Sequence, residues 1–215
     1  MLDPEQFHHC LRWWESKRCG CVVEWDGDDP EPLFVELVND YASRADRILQ
    51  ISCCSGKLLD DFAVCATAQS LVDAHGEYDL ICACTGPLEF ADYPGKLSEG
   101  GVLIGITCAE THYIETQEIF GRGFGWPPAR PMRFAIPEAV TKSGLQLILF
   151  AEYFGTSFCP DTLALSNYLE ASSIIPDFDA AKDAALISEV QRKLMSDRGI
   201  RNTEHLAIYA ASRRI

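Results

Sequence analysis

The sequence predicts an α/β fold, a mostly parallel sheet with helices on both faces. Two observations carry it. Apolar runs short enough to be strands, among them RILQISC, YDLICAC and GVLIGITC, alternate along the chain with stretches of helical periodicity. Composition agrees: 47% hydrophobic and 23% charged residues in a chain of 215 describe a folded chain large enough for one substantial core.

The first thirty or so residues are irregular, with Trp13, Trp14 and Trp25 as aromatic anchors and DGDDPEP as an acidic turn. They read as an N-terminal arm, residues 1–30, packed on a domain that spans 31–215. From Pro32, the residues Leu33, Phe34, Leu37, Val38 and Tyr41 recur at helical spacing, so a helix is predicted over about 32–43. Strands are predicted at about 47–53, 78–84, 101–108, 145–153 and 203–211. Two further helices fall between the last two strands. One follows Pro160-Asp161 and the other starts near Asp179, with Ala184, Ile187, Val190 and Leu194 on one face.

Charge narrows the function classes. Lys and Arg number 18 against 32 Asp and Glu, a net −14 that repels phosphate backbones and anionic lipids. Nucleic acid and membrane are therefore not expected as partners. No apolar run approaches the roughly 20 residues of a spanning helix, and MLDPEQFHHC lacks the pattern of an export signal, so a cytoplasmic place is expected. The ten cysteines, many of them inside apolar runs, are then expected as reduced thiols, all ten titratable, with no stoichiometric metal. His8, His9, Cys10, Cys19 and Cys21 lie close in sequence, and loop residues or a metal cluster both fit them.

ILQISCCSGKLL, YDLI, KLSEGGVLIGIT and the terminal TEHLAIYAASRR together resemble class I S-adenosylmethionine-dependent methyltransferases, over roughly residues 30 to 215. Tyr78-Asp79-Leu80-Ile81 matches the start of that family's fourth strand, and Leu97-Ser98-Glu99-Gly100-Gly101 the turn into its fifth. NYLEASSIIPDFD and the distal His205 resemble the tail of a bacterial branch of these enzymes. The resemblance implies a Rossmann-like sheet with an antiparallel last strand. It also implies methyl transfer to a small molecule or a protein, or a noncatalytic binding module on the same fold.

The cofactor positions that the resemblance implies are altered. Gln50 stands where the first strand would end in a carboxylate, Ser52 and Cys54 replace two glycines, and Gly56 keeps the third. Only about 22 residues separate Gly56 from Tyr78, where the resemblance implies roughly twice that, so the second strand region is expected to be missing. FAVCATAQSL then resembles the third strand, with Thr67 in place of an adenine-contacting acid. Of the acids left between, Asp60 and Asp61 read as a solvated helix face; Asp73 and Glu77 are the others. Binding of S-adenosylmethionine is expected to be weak or lost, with Gln50, Ser52, Cys54, Gly56 and Thr67 as its degenerate contacts.

No catalytic residue is assigned. Cys53-Cys54 at a helix start fit an activated thiol or an inert buried pair, and His75 and His112 fit bases or ordinary surface residues. Tyr113, Glu115 and Glu118 read as an exposed helix face. The segment GRGFGWPPARPMRF, residues 121–134, is basic, aromatic and stiff in an acidic chain. Its Trp126, Arg130 and Arg133 are the expected substrate or partner contacts, with a linker pinned by Trp126 as the alternative.

Overall fold

The computed structural model describes residues 20–52, 65–68, 74–84, 90–124, 130–172 and 174–214. Strand β1 (Val22–Trp25) leads into helix α1 (Pro30–Ala42), then β2 (Ile48–Ser52), β3 (Cys65–Ala68), β4 (Tyr78–Cys84) and β5 (Leu97–Cys108). Helices α2 (Ile114–Phe120) and α3 (Met132–Lys142) precede β6 (Leu145–Cys159). Helices α4 (Thr162–Ser172) and α5 (Ala184–Leu194), the short β7 (Met195–Ser196) and β8 (Gly199–Arg213) complete the order.

All eight strands form one sheet in the order β1-β6-β8-β5-β4-β2-β3, with β7 paired to β8. Strands β3, β2, β4 and β5 pair in parallel, and β8 runs antiparallel to both β5 and β6. This is the expected α/β sheet with its last strand reversed. Alternate residues of β8 feed different cores: Ala207, Tyr209 and Ala211 meet Ile136 and Val140 of α3, while Leu206, Ile208 and Ala210 join Phe34 and Val38 of α1. A third core joins α2, α4 and α5 through Phe120, Leu165, Leu169, Ile187 and Val190.

The departures from expectation have local causes. Helix α1 starts at Pro30 rather than Pro32 because the Asp29 carboxylate accepts from the Glu31 amide at 2.9 Å and fixes the cap there. Strand β5 starts at Leu97 rather than 101 because the Gly-Gly turn is taken into the strand as an irregularity between Tyr78↔Leu97 and Leu80↔Val102. Gly100 has φ 76°, and a Cβ on Gly101 would lie 2.8 Å from the Tyr78 carbonyl oxygen. Between Gly56 and Tyr78 one strand is described, and its place differs from the sequence reading, which has FAVCATAQSL as the third strand with the second missing. That strand, β3, pairs directly with β2 and takes the inner place; the place without a strand among the described residues is the outer one.

The expectation for the cysteines is overturned. Cys21 and Cys159 are joined by a disulfide, so the cysteines are not all thiols. The pairing of β1 with β6, Val22 opposite Phe158, brings Cys21 beside Cys159 with their Cα atoms 4.1 Å apart. Cys82 and Cys108 carry thiols, Cys82 in the core. Among the described residues, no helix is long and apolar enough to cross a membrane.

Candidate functional site

Strand β5 ends at Cys108, and the chain turns at once along the neighbouring stretch of β8. The Ala109 amide donates to the His205 carbonyl (2.8 Å) and the Tyr113 amide to that of Thr203 (2.7 Å). Tyr113 takes left-handed geometry, φ 52°, to start α2. This stitching places Glu110, Thr111 and His112 against Glu204 and His205 at the carboxyl end of the parallel strands, where open α/β sheets bind ligands. Glu204 and His205 point to opposite faces of β8, so two polar clusters form.

On one face the His205 amide donates to His112 Nδ1 at 3.3 Å, with Glu204 Oε2 also 3.3 Å from that nitrogen. An Nδ1 that accepts leaves the ring proton on Nε2, which then donates to the Tyr168 hydroxyl at 3.0 Å. Tyr168 stacks on Tyr113 at 4.7 Å, and Gln117 Nε2 donates to the His112 carbonyl at 2.7 Å. Nearby, Thr116 donates to Asn202 Oδ1, and Glu115 accepts from both the amide and the hydroxyl of Thr203. Both nitrogens of the His112 ring are engaged within the fold, so this face reads as a rigid support for the loop.

The other face is different. His205 is 1% exposed and stacks on Phe154, its cross-strand partner, at 4.1 Å. Its Nδ1 lies 2.7 Å from Thr111 Oγ1. Its Nε2 faces Glu152 Oε1 at 3.4 Å, in an alignment that leaves both buried atoms without a hydrogen bond. Burial holds the imidazole below its ordinary pKa against the opposing pull of Glu110 and Glu152. Glu110 lies on the same side; its Oε2 accepts from the Met132 amide at 3.0 Å, at the start of α3. One donor atom from each of Glu110, Glu152 and His205 falls within 4.8 Å of the others.

The residues expected from the sequence fall in three places. Gln50 on β2 is buried, opposite Thr67 of β3 on one side and Cys82 of β4 on the other. Ser52 ends β2 opposite Cys84, while Cys54 and Gly56 lie outside the described residues. Among the described residues, the ends of β2, β3 and β4 carry no carboxylate to grip an ammonium or a ribose.

Trp126 lies outside the described residues, as do His8, His9, Cys10, Cys19 and Cys53. Arg130 is exposed and pairs with Glu138, and Arg133 is exposed and lies over the Phe134 ring at 5.2 Å. Met132 to Phe134 belong to α3 rather than to the loop. Arg122 pins the loop's start, donating from Nη2 to both oxygens of Asp183 at 2.9 and 2.8 Å. His75 is exposed, whereas His112 is a buried structural group. Tyr113 is fully buried rather than on an exposed face, because the left-handed turn directs it into the third core.

Glu110, Thr111 and Glu152 went unnoticed in the sequence. The signal for them is polar residues intruding on apolar runs: Glu152 within LQLILFAEY, and Glu110-Thr111 straight after GVLIGITC.

No protein-family model matches the sequence, and no curated protein matches it. Solved structures do. A candidate methyltransferase from Bacillus halodurans C-125 superposes with a TM-score of 0.57 at 8% identity, covering 85% of this chain and 99% of that one. A protein of unknown function from Deinococcus radiodurans R1 gives 0.55 at 13% identity, over 97% of this chain and 99% of that one. The [4+2]-cyclase SpnF gives 0.50 at 12% identity, over 98% and 95%. At these identities the likeness is one of fold, the Rossmann-like methyltransferase fold.

Proposed function

We propose that the protein is a divergent methyltransferase-family protein whose transfer of a methyl group from S-adenosylmethionine, to a small molecule or a protein, is weak. The neutral, buried Gln50 on strand β2, between β3 and β4, carries this reading. A carboxylate at that place would hold the cofactor's ammonium, and a charge-assisted hydrogen bond of this kind is worth about 1.5–3 kcal/mol. Affinity for the cofactor is then no better than roughly 0.1 mM. Calorimetric titration with S-adenosylmethionine and with its demethylated product tests it: no saturable heat is expected at micromolar concentration, and a micromolar Kd for either compound overturns it.

A noncatalytic binding module is the second reading. The exposed Phe124, Arg133 and Phe134 around the 121–134 segment favour it, because an aromatic and basic surface on an acidic chain suits partner contact. The name of the cyclase SpnF supports keeping fold and reaction separate.

A further inference from the structure

We propose that Glu110, Glu152 and His205 bind one divalent metal ion of borderline softness, of the class of Zn2+. The donor set is mixed, two carboxylates and one imidazole, which suits zinc or a late first-row metal better than the all-oxygen shells of magnesium or calcium. The 3.4 Å between His205 Nε2 and Glu152 Oε1 is too badly aligned for a hydrogen bond, yet it is about the edge of a tetrahedron of ligands around an ion ~2.1 Å from each.

The surroundings prepare the donors. For Nε2 to offer its lone pair, the ring proton must sit on Nδ1, where Thr111 Oγ1 at 2.7 Å accepts it. The Met132 amide holds one oxygen of Glu110, leaving its other oxygen as a ligand. Phe154 fixes the plane of the ring. Two largely buried carboxylates placed this close also repel each other. Arg133, the cation that acts on this ring, is itself exposed, and Glu204 with His112 lies on the far face of β8. A cation at the centre removes that repulsion. Glu152 is the most exposed of the three at 13% of its side chain, and gives the ion its way in. Three protein ligands leave a tetrahedral ion one open position, the arrangement that binds water or a substrate oxygen.

The inference does not rest on cofactor binding, and the two are tested separately. Protein stripped with chelator is dialysed against buffered Zn2+, Mn2+ and Mg2+, and bound metal is measured by elemental analysis. One equivalent of Zn2+ per chain is expected, with Mg2+ bound at least tenfold more weakly. Glu152→Gln and His205→Asn should each weaken Zn2+ binding tenfold or more, and Thr111→Val about tenfold. A variant carrying both His8→Ala and His9→Ala should keep the full equivalent, which separates this site from the N-terminal histidines. Should His205→Asn fail to fold by circular dichroism, Glu152→Gln at the rim still decides. Failure of the stripped protein to take up Zn2+, or an unchanged equivalent in Glu152→Gln, overturns the proposal.

Discussion

Asp79 holds three segments together from the first turn of β4. Its carboxylate accepts from the Asp46 and Arg47 amides at 3.0 and 2.9 Å and from the Ser98 hydroxyl at 2.6 Å, joining the entries of β2, β4 and β5. The Ser98 hydrogen bond, with those from Arg47 and Asp46, holds this carboxyl below the usual aspartate range. A depressed folded pKa gives stability that is complete above about pH 4 and is lost as pH falls through the folded value. Asp79→Asn is therefore expected to cost about 1–2 kcal/mol in urea unfolding at pH 7, with the gap to the parent protein closing below about pH 4. Arg122→Ala should cost a similar amount, about 1–2 kcal/mol, because Asp183 is then left largely buried without its cation. The role of Asp79 was legible as a motif, since Tyr-Asp-Leu-Ile is a local pattern. That of Glu110 and Glu152 was not: 42 residues separate them, and only the register of β6 on β8 beside β5 brings them to one place.

At the scale of elements, strands with short-range cues were placed closely, and β4 falls where its apolar run predicts. Strands β6 and β8 were predicted too short, because their continuations, FGTSFC and the start GIRN, are not apolar runs. Those residues are strand because fourteen register pairs between β6 and β8, with β1 added at the edge, hold them so. The Cys21–Cys159 bond spans 138 residues, a separation no spacing rule reads. Under denaturing, nonreducing conditions, titration should find no more than eight thiols, two fewer than the ten cysteines. Cys159→Ser should cost about 2–4 kcal/mol in thermal or urea unfolding while leaving the parallel half of the sheet folded by circular dichroism. Helix α3 and its approach set another test. If this face meets a partner, Trp126→Ala and Arg133→Glu weaken capture of that partner at least tenfold in a binding assay with the thermal midpoint shifted by no more than a few degrees. Loss of folding in Trp126→Ala, with binding intact in Arg133→Glu, would identify the segment as a linker.

For the whole molecule, the parallel half, β3-β2-β4-β5, is assembled from neighbours in sequence, whereas the antiparallel half depends on β8, which lies between β5 and β6. Val102 pairs with Ser212, so the two strands at the centre of the sheet come from distant parts of the chain. A chain ending at Asn202 should therefore show no cooperative unfolding transition in urea, since both faces of the sheet lose their shared core residues. The placement of β8 also orders events during synthesis. The ribosome delivers residues from the N-terminus onward, so β5 and β6 leave it before the strand that must lie between them exists. Until then the two strands offer a slot with open hydrogen-bonding edges on both sides, which only the last strand of the chain can close.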